Sequence, residues 1–210
     1  MVEKGSGMTK LKRDTEDKIL NCARLIFQEK GFDGARMQEI ADQAKINKAA
    51  LHYYYRSKEK LFQRVFKDTV SDLIAFFEDA FENDLSIDEL IINIIHKYMD
   101  FLQNNSNILF FVMSELRKNR DLVQPIMSEV IQSGWPARLT NRFQEEVEAG
   151  RFREFDQRQL IMNILSLSAF PIIAEPLFTR MFAIGSVEYK DILAERKNLI
   201  PELILHGIKT

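Results

Sequence analysis

Apolar residues recur every three or four positions along almost the whole chain, and no stretch sustains the period-two alternation of a half-buried strand. Ile19, Leu20, Ala23, Ile26 and Phe27 share one face and predict a helix from about Asp14 to Lys30. Asp14 or Thr15 can cap its start, and Gly31 fits a left-handed stop. Cys22 flanks that face as a small core residue. A short helix follows from Met37 to Gln43, with Ile40, Ala41 and Ala44 apolar. Lys45-Ile46-Asn47 is a tight break, and Asn47 is a good N-cap for a second short helix, Lys48 to Tyr54. Ser57 caps the next helix, with Glu59 in the first turn, where the helix dipole favours an acid. That helix carries a stripe of Leu61, Phe62, Val65, Phe66, Leu73, Ile74, Phe77 and Phe81.

The remainder is read the same way. Ser86 and Glu89 form a capping box that opens a helix to about Gln103, and residues 107–118 form another. A helix with Pro125 in its first turn begins near Asp121, and Gly134-Trp135-Pro136 breaks the chain. The next helix runs to Glu148 and stops at Gly150. Asp156 starts a helix to about Phe182, kinked at Pro171 and Pro176. Ser186 caps the last, which ends near His206-Gly207 with His206 as a C-terminal cap. The fold class is therefore all-α.

Two short helices joined by a three-residue turn, leaning on a longer first helix, make a helix-turn-helix, whose second short helix enters a DNA major groove. The stretch KINKAALHYYYRSKEKLF then explains itself. Leu51 and Tyr55 share one face and, with Ile40 and Ile46, plug a small core. Lys48, Ala49 and His52 point outward, with Tyr53 on the flank. Ala49 and Ala50 let the backbone approach the groove floor and offer methyls to thymine. Tyr53 and Tyr54 reach the phosphate walls with their hydroxyls, while Tyr55 turns inward. Lys58, at the start of the following helix, makes a phosphate clamp.

Charge agrees with this division. The net charge of −2 conceals a basic first third, with 14 Lys and Arg against 8 Asp and Glu over residues 8–67. The remaining body is acidic. No apolar run approaches the ~20 residues of a membrane span, and MVEKGSGMTKLKRD has no apolar signal core. Met8 fits a natural start, and MVEKGSG is left out of the fold reading. With its single cysteine the chain is expected to be cytoplasmic, with no disulfide and no membrane partner. His52, His96 and His206 are too scattered for a metal site. No catalytic triad, P-loop or dinucleotide fingerprint is present, so no enzyme activity, metal or cofactor is expected.

Three features together resemble the tetracycline-repressor-like (TetR) family of bacterial transcription regulators. They are the Phe-x-x-x-Gly-Phe at the end of the first helix, Glu39-Ile40-Ala41, and Lys48-x-x-Leu-x-Tyr-Tyr-aromatic-x-x-Lys-x-x-Leu-Phe. The resemblance covers about residues 14–66; beyond it the chain is similar only in helix count and length. It implies that Lys48, His52, Tyr53, Tyr54 and Lys58 fall on DNA-contact positions. Met37 stands where many members have Thr or Ser, and Arg36 is the candidate to supply that contact instead. Ala49 replaces a common glycine, His52 a common tyrosine and Tyr55 a common phenylalanine, so the operator cannot be borrowed from a relative. Asn47 and Ala50 complete the candidate DNA-binding set.

The expected organisation is a helix-turn-helix domain over residues 8–56 and a helical ligand-sensing and dimerisation domain over 57–210. LIMNILSLSAFPIIAEPLF is apolar nearly all round, so the last two helices, about 156–182 and 186–206, are expected to pair with a second copy. The partners are then double-stranded operator DNA, a second chain and a small apolar effector. Candidates for lining an effector cavity are Phe77, Phe81, His96, Phe101, Phe110, Met113, Trp135, Phe143 and Met162. His96 is otherwise a hydrogen-bonded core histidine. The function expected is a repressor released from its operator by that effector. The alternative is a ligand-independent helix-turn-helix adaptor or architectural protein controlled by a protein partner.

Overall fold

Gly31 sits at φ +68 inside a helix that otherwise runs from Lys4 to Gly34, here termed α1. The break frees the amide of Phe32, and Glu115 takes it up. Glu115 Oε1 accepts the Phe32 N–H at 3.1 Å, and Oε2 accepts the Asn119 amide at 2.7 Å. The carboxylate is 1% exposed. A Cβ at position 31 would lie 2.8 Å from Glu115 Oε1, so position 31 needs glycine twice, for its φ and for this approach.

The structure is a computed structural model that describes residues 4–80, 85–132 and 134–210. The chain continues as α2 (Met37–Gln43), α3 (Lys48–Tyr54), α4 (Lys58–Ala80), α5 (Ile87–Asn104), α6 (Ser106–Lys118) and α7 (Arg120–Ile131). It ends with α8 (Trp135–Glu148), α9 (Gln157–Ile173), α10 (Glu175–Phe182) and α11 (Ser186–Ile208). Among the described residues the only extended pairing is an isolated antiparallel bridge between Phe152 and Lys209. The chain divides into two compact units.

The first unit takes Met1–Ser71 and Asn107–Val130. Ile19, Ala23, Ile26 and Phe27 of α1 are buried with Ile40, Ala41 and Ala44, with Leu51, and with Leu61, Phe62, Val65 and Phe66 of α4. Phe62 is the hub of this core. Its ring lies 5.1 Å from Phe27, 4.9 Å from Phe32, 5.8 Å from Phe66 and 5.9 Å from Phe111 of α6. Full burial of one such ring contributes roughly 1.5–3 kcal/mol. Lys67 of α4 and Glu129 of α7 form a surface ion pair at 2.6 Å.

The second unit takes Asp72–Ser106 and Ile131–Thr210. α5 is its central helix, burying Ile87, Leu90, Ile91, Ile94, Ile95, Tyr98, Met99 and Leu102. Its start is held by the expected box, with the Ser86 N–H donating to Glu89 Oε2 at 2.9 Å. Ion pairs Asp88–Lys209 and Asp100–Lys197 set α11 antiparallel to α5. Tyr189 donates its hydroxyl to the carbonyl of Pro171 at 2.7 Å, which ties α11 to α9.

Several boundaries differ from the sequence expectation. α1 starts at Lys4 and passes through Asp14 and Thr15, so neither is a cap. Pro125 falls in the second turn of α7. The helix expected over 156–182 is two helices, α9 and α10, bent by 69° around Ala174. Pro176 lacks an N–H and its ring clashes with the carbonyl four residues back, while Pro171 stays inside α9. Gly185, not Ser186, is the N-cap of α11, and Ser186 is its first residue. His96 is half-buried, but its Nε2 is buried without a hydrogen-bond partner.

One polar tether fixes the end of α3 to α1. The Tyr55 hydroxyl donates to Glu16 Oε1 at 3.1 Å. Burial first, and then the Glu16 charge, push the Tyr55 phenol well above its ordinary range. A raised phenol pKa stabilises the fold fully below the unfolded value of ~10 and is lost as pH rises through the folded value.

Two outcomes are expected. Glu115→Ala strands the Phe32 amide and lowers unfolding stability by about 1–3 kcal/mol in urea titration. Gly31→Ala costs a similar amount, about 1–3 kcal/mol, from a backbone conformation that is essentially restricted to glycine. Midpoints equal to wild type for both would remove Glu115 from the fold's supports. A Tyr55→Phe and Glu16→Gln double-mutant cycle is expected to give a coupling of about 0.5–1.5 kcal/mol. The stability difference between wild type and Tyr55→Phe should shrink above pH ~10 as the phenol ionises.

Candidate nucleic-acid interface

The turn between α2 and α3 is a Schellman closure. The Ile46 N–H donates to the Ala41 carbonyl at 3.0 Å and the Lys45 N–H to the Asp42 carbonyl at 3.1 Å. Lys45 takes the left-handed conformation at φ +55, where glycine is usual, so the sharp reversal is made against a backbone preference. Asn47 then starts α3, its Oδ1 accepting the Ala50 N–H at 2.7 Å.

This geometry sorts the side chains of α3. Leu51 is fully buried. Asn47, Lys48, Ala49, His52 and Tyr53 are exposed, and Ala50 and Tyr54 are half-buried. Tyr53 is 72% exposed, unusual for so large a ring, and meets Tyr54 edge-on at 5.5 Å. Tyr55 leaves the helix in extended backbone at φ −129 and ψ 103, which turns its ring into the core. The tyrosine run therefore divides into two rings on the outer surface and one inside, because the helix ends between Tyr54 and Tyr55.

The flanks complete the surface. Arg36 is exposed at the N-cap position of α2 in extended backbone. Lys58 lies over the Phe32 ring at 4.6 Å and donates to the Asp33 carbonyl at 3.3 Å. That leaves two of its three N–H donors for other acceptors. Lys12 stands over the outer ring, its Nζ 5.5 Å from the centre of Tyr53. Lys12 was not among the residues expected here, because the apolar pattern and the Asp14 cap signal place the start of the first helix after it. The available signal was spacing, since Lys12, Glu16, Ile19 and Ala23 share one helical stripe.

The residues nominated for an effector cavity are dispersed. Phe81 and the Phe77 side chain lie outside the described residues. In the first unit, Phe110 and Met113 are half-exposed on α6, and Phe110 borders an open groove of about 320 Å³ with Phe27 and Glu115. In the second unit, Phe143 and Trp135 are buried, His96 and Phe101 are half-buried, and Met162 is exposed on α9. A separate groove of about 240 Å³ between α9 and α11 is lined by Leu160, Leu167 and Leu203.

Residues 19–65 match the model of bacterial regulatory proteins of the tetR family. A Bacillus subtilis protein named as an HTH-type transcriptional regulator, YttP, is 28% identical over 120 residues, which span 56% of this chain and 58% of that relative. The fatty acid metabolism regulator protein of the same organism is 23% identical over 199 residues, 95% of this chain and 98% of that one. The crystal structure of the Bacillus subtilis transcriptional regulator FadR in complex with stearoyl-CoA superposes with a TM-score of 0.67 at 21% identity. It covers 92% of this chain and 99% of its own, a likeness of fold. A head over residues 19–65 that matches that model, with α3 turning basic and aromatic side chains outward, marks this chain as a DNA-binding transcriptional regulator with a TetR-family head.

Proposed function

We propose that this regulator is a repressor that binds its operator as a homodimer and is released by a small apolar effector. The observation that carries the reading is the exposed face of α3, where Lys48, His52 and Tyr53 project while Leu51 and Tyr55 face inward. In a major groove, Ala49 and Ala50 approach the base edges with Lys48 and His52. Arg36, Asn47, Tyr53, Tyr54 and Lys58 hold phosphates on either side. Residues 8–56 act as the DNA-binding domain and 57–210 as the sensing and dimerising domain.

One head reads too few base pairs for useful selectivity, and two heads must meet half-sites about 34–36 Å apart. The exposed apolar side chains of the second unit support pairing through its last helices. Met162 and Phe170 of α9, Leu177 and Met181 of α10, and Leu199 and Leu203 of α11 are about half exposed. A second copy covering them would remove that surface from water. An effector that prefers a dimer with wrongly spaced heads weakens DNA binding by that preference alone. The stearoyl-CoA bound to the Bacillus FadR suggests long-chain acyl thioesters as the first class to try.

The deciding experiment is a fluorescence titration of the chain against a duplex it selects from a random-sequence pool, beside a scrambled duplex. Tyr53→Phe is expected to weaken selective binding about three- to tenfold, the worth of one hydrogen bond. Leu203→Glu should yield monomers in sedimentation and lose selective binding. Stearoyl-CoA should release the selected duplex and leave scrambled DNA binding little changed. Selective binding insensitive to acyl-CoA would redirect the search to another effector. A Leu203→Glu dimer with intact binding would move the interface elsewhere.

A further inference from the structure

The first turns of α1 lie beside the recognition helix, and one stripe of α1 changes character along its length. Ala23 and Ile19 are buried in the core. One turn earlier Glu16 accepts the Tyr55 hydroxyl, and one turn earlier again Lys12 covers the face of Tyr53. The stripe thus runs from the core, through a polar tether, to a cation beside the outward-facing ring of α3.

Lys12 is exposed, and Tyr53, the ring it covers, is on the face that reads DNA. An ammonium over an exposed phenol ring is attracted only weakly by the ring's negative face. That is enough to bias a flexible side chain but too little to desolvate its charge. The ring face binds one side of the ammonium and leaves donors directed away from it. A phosphate wall beside the groove is where such a charge is used. The Tyr53 hydroxyl and the Lys12 ammonium, on one ring, fit neighbouring oxygens of one strand. Helical backbone on both sides of Lys12 holds the position, since α1 begins at Lys4.

We propose that Lys12 is a DNA-backbone contact, extending the recognition surface from α3 onto the N-terminal turns of α1. The inference rests on the reading that α3 enters the groove. It adds a contact that neither the helix-turn-helix stretch nor the sequence motif contains. A backbone contact of this kind adds affinity and salt dependence and carries no base preference.

The test measures wild type, Lys12→Ala and Lys12→Arg against the selected and scrambled duplexes over a range of salt concentrations, with circular dichroism to check folding. Lys12→Ala is expected to bind both duplexes about three- to tenfold more weakly at ~0.1 M salt. The slope of log affinity against log salt should fall by about 0.9 per protomer. The ratio of selected to scrambled binding should stay at the wild-type value, and Lys12→Arg should restore the slope. An unchanged slope in Lys12→Ala overturns the proposal while leaving the groove reading intact. A collapsed ratio with an unchanged slope also overturns it, because Lys12 would then act only by orienting Tyr53. Wild-type binding without selectivity would bring down the groove reading and this contact together.

Discussion

Phe62 is the residue on which the first unit converges. Its ring touches Phe27 before the Gly31 break, Phe32 after it, Phe66 one turn along α4 and Phe111 on α6. Three elements, α1, α4 and α6, are thus fixed through one buried surface. Phe32 carries the influence outward, because Lys58 packs on its other side. The Glu115 carboxylate then locks the amide of the same residue. Apolar packing sets the distance between α1, α4 and α6, and one buried hydrogen bond sets their register.

The recognition helix depends on this frame. α3 has seven residues, far below the length at which a helix is stable alone. Its shape is imposed at both ends. The Schellman closure and Asn47 fix its start, and the inward turn of Tyr55 with its tether to Glu16 fixes its finish. Between those anchors only Leu51 is fully buried, so the rest of the helix is free to face outward.

The second unit is organised by charge as well as by packing. Asp88 and Asp100, near opposite ends of α5, take Lys209 at the end of α11 and Lys197 at its middle, while the apolar side of α5 is buried. The bend at Ala174 turns α10 away from α9, and no residue of α10 is buried. The sequence shows why a long apolar run need not be a core helix. Among the described residues no single helix is long and apolar enough to cross a membrane, and the run divides at a proline instead.

What the sequence determined by itself was local. Helical spacing, the Asn47 cap, the Ser86 box, the break at Gly134 and the stop at Gly150 follow from interactions within a few residues and reappear in the structure, while the stop expected at Gly31 appears as a kink within α1. The inward and outward faces of α3 were legible for the same reason. Other features were decided by contacts distant in sequence. Glu115 reaches Phe32 across 83 residues, and Tyr55 reaches Glu16 across 39. Lys12 meets Tyr53 only because α1 continues past its apparent cap. A cap signal reports what a side chain could bond locally, and a helix passes through it when the preceding residues remain helical. The unpartnered Nε2 of His96 belongs to the same class, since the sequence reports a titratable ring and only packing decides what faces it.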